Sequence, residues 1–541
     1  MGIASASLIY PTRPIARGQR GMVVCPHTLA SEAGLSILRQ GGNAIDAAIA
    51  ANAALSVVYP HMTGIGGDSF WLIYHAQSHQ IYGLNGSGRS AQAASRDFYH
   101  RRNLTTIPQR GPLAAITVPG AVDAWAEAHE KFGRLSWAEI LQPAIDLAEQ
   151  GYPVSASQVR WTQRDRDLLH QYPSCQQVFL PHGQTPKVGA PIRNPDLAQI
   201  LRLIATDGRT VFYRGEIAKN ICAYLAEIGG ILTPADFAAH RSDWVEPITT
   251  QYRGYTVCEL PPNTQGLVVL QILNLIEPFD LQQMGHNTSD YYHLIVEATK
   301  LAFADRDRWI TDPAFVNIPM AELISKAYSD RRRAGLSLTQ AQPYRPVSIG
   351  GDTTYSACVD SEGNAVSLIQ SLYFDYGSGI APREMGFMLQ NRGCFFSLDA
   401  NHINCLEPGK RTFHTLIPGL VLNGQGFPYL VFGAMGGEGQ PQTQLALLTR
   451  VLDFGFDPQT AIDWPRWLWG QTWGESISGL SLEGRIGKEI RTELRQRGHI
   501  VHIAPDWSEQ MGHAHIIRID PETHLLAGGC DPRSDGSALG F

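Results

Sequence analysis

The chain has no apolar run long enough to cross a bilayer. Its longest, Ala47 to Val58, is interrupted by Asn52, whereas a membrane-spanning helix takes about 20 apolar residues. Runs rich in Lys and Arg are also missing, and 43 basic against 50 acidic residues give a formal charge of −7. That balance excludes the basic footprint of a nucleic-acid-binding protein. The eight cysteines are scattered, with no C-x-x-C pair and no zinc-ligand spacing, so reduced thiols and a cytoplasmic location are expected. No basic segment precedes the short apolar patch near the N-terminus, so no secretory signal is expected. Ala6 breaks the myristoylation pattern.

Several catalytic signatures are absent as well. There is no G-x-S-x-G elbow, no H-E-x-x-H and no Walker A sequence. The 18 histidines show no ligand spacing, and His513 and His515 alternate as ordinary strand residues do, so neither a metal nor a cofactor is expected. Gly86 to Ala91 fits a loose G-x-G-x-x-A pattern, but no helix clearly opens on it and no acidic partner follows. It reads as a glycine turn.

What is present is a chain of 541 residues, 44% hydrophobic and 17% charged, enough for a large core and for several domains. Helical spacing marks Thr28 to Gln40, then a helix capped by Asn43, then Ala121 to Phe132, Trp137 to Gly151, Pro195 to Ile204 and Asn287 to Asp307. Strand patterns mark Ser69 to Tyr74, Ile81 to Leu84, Tyr252 to Leu260, Leu416 to Leu422 and Tyr429 to Phe432. A helix is expected over Thr443 to Phe454 and another from Ala461 to Trp467. Glu297, Lys300, Asp305, Arg306 and Asp307 share one helix, where such charges are usually solvated or ion-paired.

The densest signal lies between Gly350 and Gly379. Thr353 to Val359 and Ala365 to Leu372 have strand composition, and Asp360 to Asn364 carries turn chemistry, so the pair predicts a hairpin. Thr353 opens it. A threonine hydroxyl is a weak nucleophile without a base, and one source of that base is the residue's own α-amino group, free only at a chain start. Thr353 is internal, so this chemistry requires a cut between Asp352 and Thr353. Gly350 and Gly351 supply the flexibility for it, and the segment Leu336 to Ile349 has the composition of an exposed, mobile linker.

Further along come G-N-A-V-S from Gly363, F-D-Y-G-S-G from Phe374, P-G-K-R-T-F-H-T-L-I-P from Pro408, G-A-M-G-G from Gly433 and D-P-R at Asp531. With G-G-N-A-x-D-A-A from Gly41, this series resembles the γ-glutamyltransferase (glutathione hydrolase) family of N-terminal-nucleophile hydrolases. The resemblance implies an α+β fold, a four-layer αββα sandwich, built jointly by residues 1–352 and 353–541 after self-cleavage. It implies cleavage of γ-glutamyl amides through a threonyl acyl-enzyme, by hydrolysis or by transfer to an amine. The two pieces would stay together as a heterodimer, with further dimerisation left open.

In that resemblance Thr353 is the nucleophile, Ser371 stands for a second threonine-type hydroxyl, and Gly436 and Gly437 form the oxyanion pair. Thr354 helps orient Thr353. The residues that grip the glutamyl group depart from the family. Phe395 takes the place of the aspartate that pairs with the substrate ammonium, Arg392 that of a glutamine, Tyr373 that of an asparagine, and His414-Thr415 that of a serine pair. Ser87 replaces the carboxylate-gripping arginine, with Arg89 two residues on as a substitute. The stretch between Ser397 and His414 is short, which predicts a more open pocket. These departures resemble the cephalosporin-acylase-type subgroup. Three readings follow: a γ-glutamyl hydrolase, an amidase for glutaryl-type acyl groups, or a non-catalytic relative that binds small molecules.

Overall fold

The computed structural model describes residues 12–344, 351–470 and 479–541. Two seven-stranded sheets, antiparallel throughout, stack face to face between helical layers. The fourteen sandwich strands are β1 (Ala16–Gly18), β2 (Met22–Cys25), β3 (Asp68–His75), β4 (Gln80–Gly86), β5 (Asp243–Val245), β6 (Ile248–Tyr252), β7 (Tyr255–Glu259), β8 (Asp352–Val359), β9 (Ala365–Tyr373), β10 (Gly419–Leu422), β11 (Pro428–Ala434), β12 (Ala514–Ile519), β13 (Leu526–Cys530) and β14 (Ser537–Gly540). One sheet runs β1-β13-β12-β11-β10-β7-β6 and the other β14-β2-β8-β9-β3-β4-β5.

Side-chain alternation explains why both faces of each sheet are covered. Phe70, Leu72 and Tyr74 on β3 and Tyr355, Ala357 and Val359 on β8 meet Leu420, Val431 and Ile517 of the other sheet. Trp71, Ile73 and Cys358, one residue out of phase, pack instead under helices α1 (Thr28–Arg39) and α2 (Ala44–Val58). The opposite outer layer holds α3 (Gly266–Ile276), α4 (Ser289–Trp309) and α5 (Gln440–Leu452), packed on Val257, Leu430, Phe432 and Ile516. This is the αββα sandwich expected. Most helices do come from the first 352 residues, and each sheet mixes strands from both sides of position 352.

Local chemistry holds the expected elements. Asn43 and Asp46 form a reciprocal capping box at the start of α2. The β8–β9 turn is closed by the Asp360 carboxylate, which accepts from the backbone N–H groups of Glu362 and Asn364, with Gly363 at φ 88°.

Three boundaries differ. The strand expected over Tyr252 to Leu260 is interrupted at Arg253-Gly254, where Arg253 has φ 52° and Gly254 φ 83°, and becomes the turn between β6 and β7. The helix expected from Ala461 to Trp467 runs Pro458–Asp463 instead, and Trp467–Trp469 is a strand of a small separate sheet. Residues 336–344 are docked rather than loose: His293 bonds the Ser337 carbonyl, Lys300 the Gln342 carbonyl, and Glu297 the Gln342 N–H. The rest of that segment, and Gly350, lie outside the described residues.

Candidate active site

Asp352 stands opposite Tyr373 and Thr354 opposite Gln370, and the register shifts between them. Thr353 alone therefore faces two residues of β9, Ser371 and Leu372, in a β-bulge whose additional residue lies on β9, a device that re-aims side chains at a sheet's end. Thr353 is buried, with 1% exposure. Thr354 does not share its role, because its hydroxyl donates to the Gln370 carbonyl at 3.1 Å within the sheet. Ser371 sits on β9 opposite Asp68, and its oxygen accepts from the Tyr373 N–H at 2.7 Å and from Arg392 Nη2 at 3.4 Å.

Gly436 and Gly437 follow β11 with φ of 131° and 53°. A Cβ on Gly437 would stand 2.9 Å from the carbonyl oxygen of Gly351 and 3.0 Å from its nitrogen, so only glycine allows the loop so close to the residue two before Thr353. The Gln265 amide donates to the carbonyls of Gly437 (3.0 Å) and Thr415 (2.9 Å). One side chain thus ties the glycine loop to the segment carrying His414.

Beside this backbone-built corner stands an aromatic wall. The Tyr373 ring stacks on Phe395 at 4.3 Å and on Phe374 at 4.4 Å between centroids. Arg392 lies over Tyr373 at 4.3 Å and over Phe395 at 5.4 Å, contacts that favour a guanidinium. Arg392 is fully buried; its Nη1 reaches Thr415 Oγ1 at 3.4 Å, and its Nε has no hydrogen-bond partner. Among the described residues no carboxylate forms a salt bridge with it. Burial lowers its pKa to about 10, against the opposing pull of Tyr373 and Asp68, so it remains a cation at neutral pH.

Asp68 was not singled out from sequence, and it organises the floor of the site. One carboxylate oxygen accepts from the N–H groups of Gly88 and Gly120, both at 3.1 Å, and from Gln390 at 2.9 Å. The other lies 3.2 Å from His414 Nε2. His414 Nδ1 accepts from the Leu416 N–H at 3.4 Å, so the proton sits on Nε2 and the ring donates to Asp68. Burial and the nearby Arg392 and Arg411 cations hold His414 well below the usual imidazole range, which keeps it neutral. Burial pushes Asp68 up to about 6, against the lowering effect of Arg392 and of its hydrogen bonds. The one signal for Asp68 in the sequence is an acid directly after Gly66-Gly67, at the mouth of an otherwise apolar strand.

The structure thus gathers Ser371, Tyr373, Arg392, His414 and Thr415 of the expected set. Arg89 stands elsewhere: its guanidinium pairs with Asp243 at 3.5 Å and Asp312 at 3.4 Å and is 38% exposed. Arg411 donates to the Ser87 carbonyl and also pairs with Asp243, so two arginines share these acids. Arg89 is an ion-network residue here rather than a replacement for the missing grip. The glycine turn after Gly86 carries no helix, as expected; a Cβ on Gly88 would fall 1.6 Å from the Val118 carbonyl oxygen.

The charged face of α4 is not solvated. Glu297, Lys300 and Arg306 are buried, with Lys300 2.6 Å from Glu297 and Arg306 Nε 2.8 Å from Asp307. Burial of one face forces each charge to find a partner there. His293, Glu297 and His499 bring three potential metal-ligand atoms together, although the two histidines are 206 residues apart in sequence. Their bonding capacity is used internally: the imidazoles join at 2.8 Å, His293 bonds the Ser337 carbonyl, and Glu297 takes Lys300 and Gln342.

A small cavity with room of about 40 Å³ is lined in part by Phe395. Phe413, Arg306, Asp307, His402 and Glu438 contribute to its wall, and Glu438 directly follows Gly437.

The family model described as γ-glutamyltranspeptidase matches residues 30–541. The chain is 48% identical to the glutathione hydrolase-like YwrD proenzyme of Bacillus subtilis, covering 97% of this chain and 99% of that one. It is 42% identical to the oxamate amidohydrolase proenzyme of Klebsiella pneumoniae, covering 96% and 98%. The crystal structure of a cephalosporin acylase from Bacillus halodurans superposes with a TM-score of 0.92 at 39% identity, over 100% of this chain and 99% of that one.

Proposed function

The chain belongs to the γ-glutamyltranspeptidase family, and from that premise we propose a self-processing amidohydrolase for γ-glutamyl and related amides that favours acyl groups bearing a carboxylate and no ammonium. Processing breaks the Asp352–Thr353 bond and frees the Thr353 α-amine. That amine takes the hydroxyl proton as Oγ attacks the substrate carbonyl, and it passes the proton to the departing amine as the C–N bond breaks. An acyl ester on Thr353 remains, and water cleaves it by the same route. The N–H groups of Gly436 and Gly437 hold the oxyanion in both halves, and Ser371 orients the nucleophile.

The observation that carries the acyl preference is Arg392, a buried cation beside Ser371 without a salt bridge among the described residues. A substrate carboxylate there gains charge-assisted hydrogen bonds. A γ-glutamyl ammonium would lie beside Phe395, and leaving it without a partner costs about 1–3 kcal/mol or more. Asp68 does not replace the missing partner, since both its oxygens already accept from Gly88, Gly120, Gln390 and His414. Oxamate, named for one relative, is likewise a carboxylate without an ammonium.

The test is a panel of γ-glutamyl, glutaryl and oxalyl amides offered to purified protein. Higher kcat/KM for the acyl groups lacking the amine is the expected result, and efficient glutathione cleavage with a poorer desamino analogue would overturn the preference. The unpaired state of all eight cysteines, seven of them buried, supports a reducing, cytoplasmic setting, which fractionation of the source cells checks.

A further inference from the structure

Tyr373 closes β9 in a conformation that lining a pocket does not require. Its φ is 86°, a region in which a bulky side chain is an outlier and in which backbone strain points to function. The residue is fully buried, and its hydroxyl has no hydrogen-bond partner. Neither the backbone angle nor the hydroxyl is accounted for by an acyl group beside Arg392. What the conformation achieves is a close contact along one edge of the ring: a Cβ on Gly351 would stand 2.5 Å from Tyr373 Cε2 and 2.6 Å from Cδ2.

Gly351 is gripped a second time by the glycine loop. A Cβ on Gly437 would stand 2.9 Å from the Gly351 carbonyl oxygen and 3.0 Å from its nitrogen, and the Gln265 amide holds that loop in place. The Tyr373 ring cannot retreat, because Phe374, Phe395 and Arg392 lie against it at 4.4, 4.3 and 4.3 Å. Beyond Thr353 the chain is fixed again, where the Thr354 hydroxyl bonds the Gln370 carbonyl. The two residues that flank the bond to be cut, Asp352 and Thr353, thus lie between two anchored neighbours.

We propose that Tyr373 is a positioning residue for self-cleavage: its ring clamps Gly351 against the Gly436–Gly437 loop and so holds the Asp352 carbonyl for attack by Thr353. The inference rests on the self-processing reading above. In that step Thr353 Oγ bonds to the Asp352 carbonyl carbon, the bond from that carbon to the Thr353 nitrogen breaks, and the nitrogen takes the hydroxyl proton. Water then cleaves the ester, restoring the hydroxyl and leaving a carboxylate on Asp352. The attacking and attacked atoms belong to neighbouring residues, so the orientation of one peptide group governs the rate. Glycine at position 351 leaves room for the ring edge, but on its own it would let that peptide group turn freely. The clamp removes this freedom.

The test follows the appearance of the two pieces by mass spectrometry after a pulse of cell-free synthesis. Gly351→Ala, whose methyl meets the ring, should be cut about tenfold to a hundredfold more slowly than the native chain, as for a displacement of about 1 Å. Tyr373→Phe keeps the ring and should be cut at the native rate. Tyr373→Asn removes the ring with a residue that accepts positive φ, and it should be cut about tenfold more slowly. Adding Gly351→Ala to Tyr373→Asn should then change the rate by less than about twofold, since the methyl no longer meets a ring. Independent structural damage would multiply instead, and multiplied losses overturn the clamp. So does Gly351→Ala cut at the native rate, or a loss in Tyr373→Phe equal to that in Tyr373→Asn. Melting temperatures taken in the Thr353→Ala background, where every chain is whole, identify a variant that misfolds; should Tyr373→Asn do so, Gly351→Ala and Tyr373→Phe decide the matter between them. If the native chain itself is never cut, the self-processing reading fails; if it is cut and Gly351→Ala keeps pace with it, only the clamp fails.

Discussion

The corner that holds Thr353 and the wall that faces it are built by different means. The corner is backbone: a bulge between two sheet strands, a Gly436–Gly437 loop pressed against Gly351, and Ser371 fixed by its register opposite Asp68. The wall is side chain: Tyr373, Phe395 and Arg392 stacked in sequence, with Asp68 and His414 beneath. Backbone geometry survives substitution of most neighbours, whereas a stacked cation depends on each ring. Reaction type can therefore persist while the acyl group changes. The relatives' names divide in the same way, between glutathione hydrolase-like, oxamate amidohydrolase and cephalosporin acylase.

Removing the attacking atom breaks the comparison most severely. Thr353→Ala should leave the 541-residue chain intact, whereas the native protein is expected to yield pieces of 352 and 541 − 352 = 189 residues, and turnover should drop by at least about a thousandfold. Mass spectrometry and a stopped assay read the two effects. Full activity in this variant would falsify the nucleophile assignment.

The wall is probed by Arg392→Met, which keeps length and apolar contact but deletes the charge. Hydrolysis of glutaryl amides should fall about tenfold to a hundredfold relative to uncharged butyryl amides, as expected for losing charge-assisted hydrogen bonds. Because replacing a buried charge by an apolar group is often neutral or stabilising, the melting temperature should hold or rise. Equal losses on both acyl groups would move the carboxylate grip elsewhere.

Ser371→Ala tests the boundary between the two regions, since this oxygen accepts from both Tyr373 and Arg392. We expect slower processing and turnover by about tenfold, with the glutaryl-to-butyryl ratio nearly kept; collapse of that ratio would assign Ser371 to recognition rather than to attack.

The smallest effect is one of pH. The Asp68 pKa, raised to about 6 in the folded protein, exceeds the unfolded value near 3.8, so the folded state holds the proton more tightly. Its contribution to stability is then fully present below about pH 4 and is lost as pH rises through about 6. Asp68→Asn removes that titration. The melting temperature of the native protein, measured relative to the variant, should decline between pH 4 and 6, and a flat difference would mean that Asp68 keeps an ordinary pKa.

Much of this could be read from residues alone because it is local. The β8–β9 hairpin, the Asn43 cap and the glycine loop each declare themselves within a few positions. Asp68 and Arg306 did not, for a common physical reason: their meaning comes from partners far along the chain, His414 lying 346 residues from Asp68 and Glu438 lying beyond position 352 from Arg306. Arg306 also sits among charges that look solvated on a helix, and only burial distinguishes it from a surface pair. Arg89 failed in the opposite direction, as an arginine near the right place in sequence with two acids waiting for it in space.

The mixing of strands has a consequence for how such a protein ages. β8 begins at Asp352 and lies between β2 and β9, inside a sheet whose other strands come from both ends of the chain. Before the cut, folding is a first-order event within one molecule. Afterwards, neither piece contains a complete sheet, and recovery from denaturation becomes a second-order encounter of two incomplete partners, slower at every dilution. Activation by self-cleavage therefore erases the chain's record of its own connectivity. The mature enzyme would persist by the height of its unfolding barrier rather than by its ability to fold again.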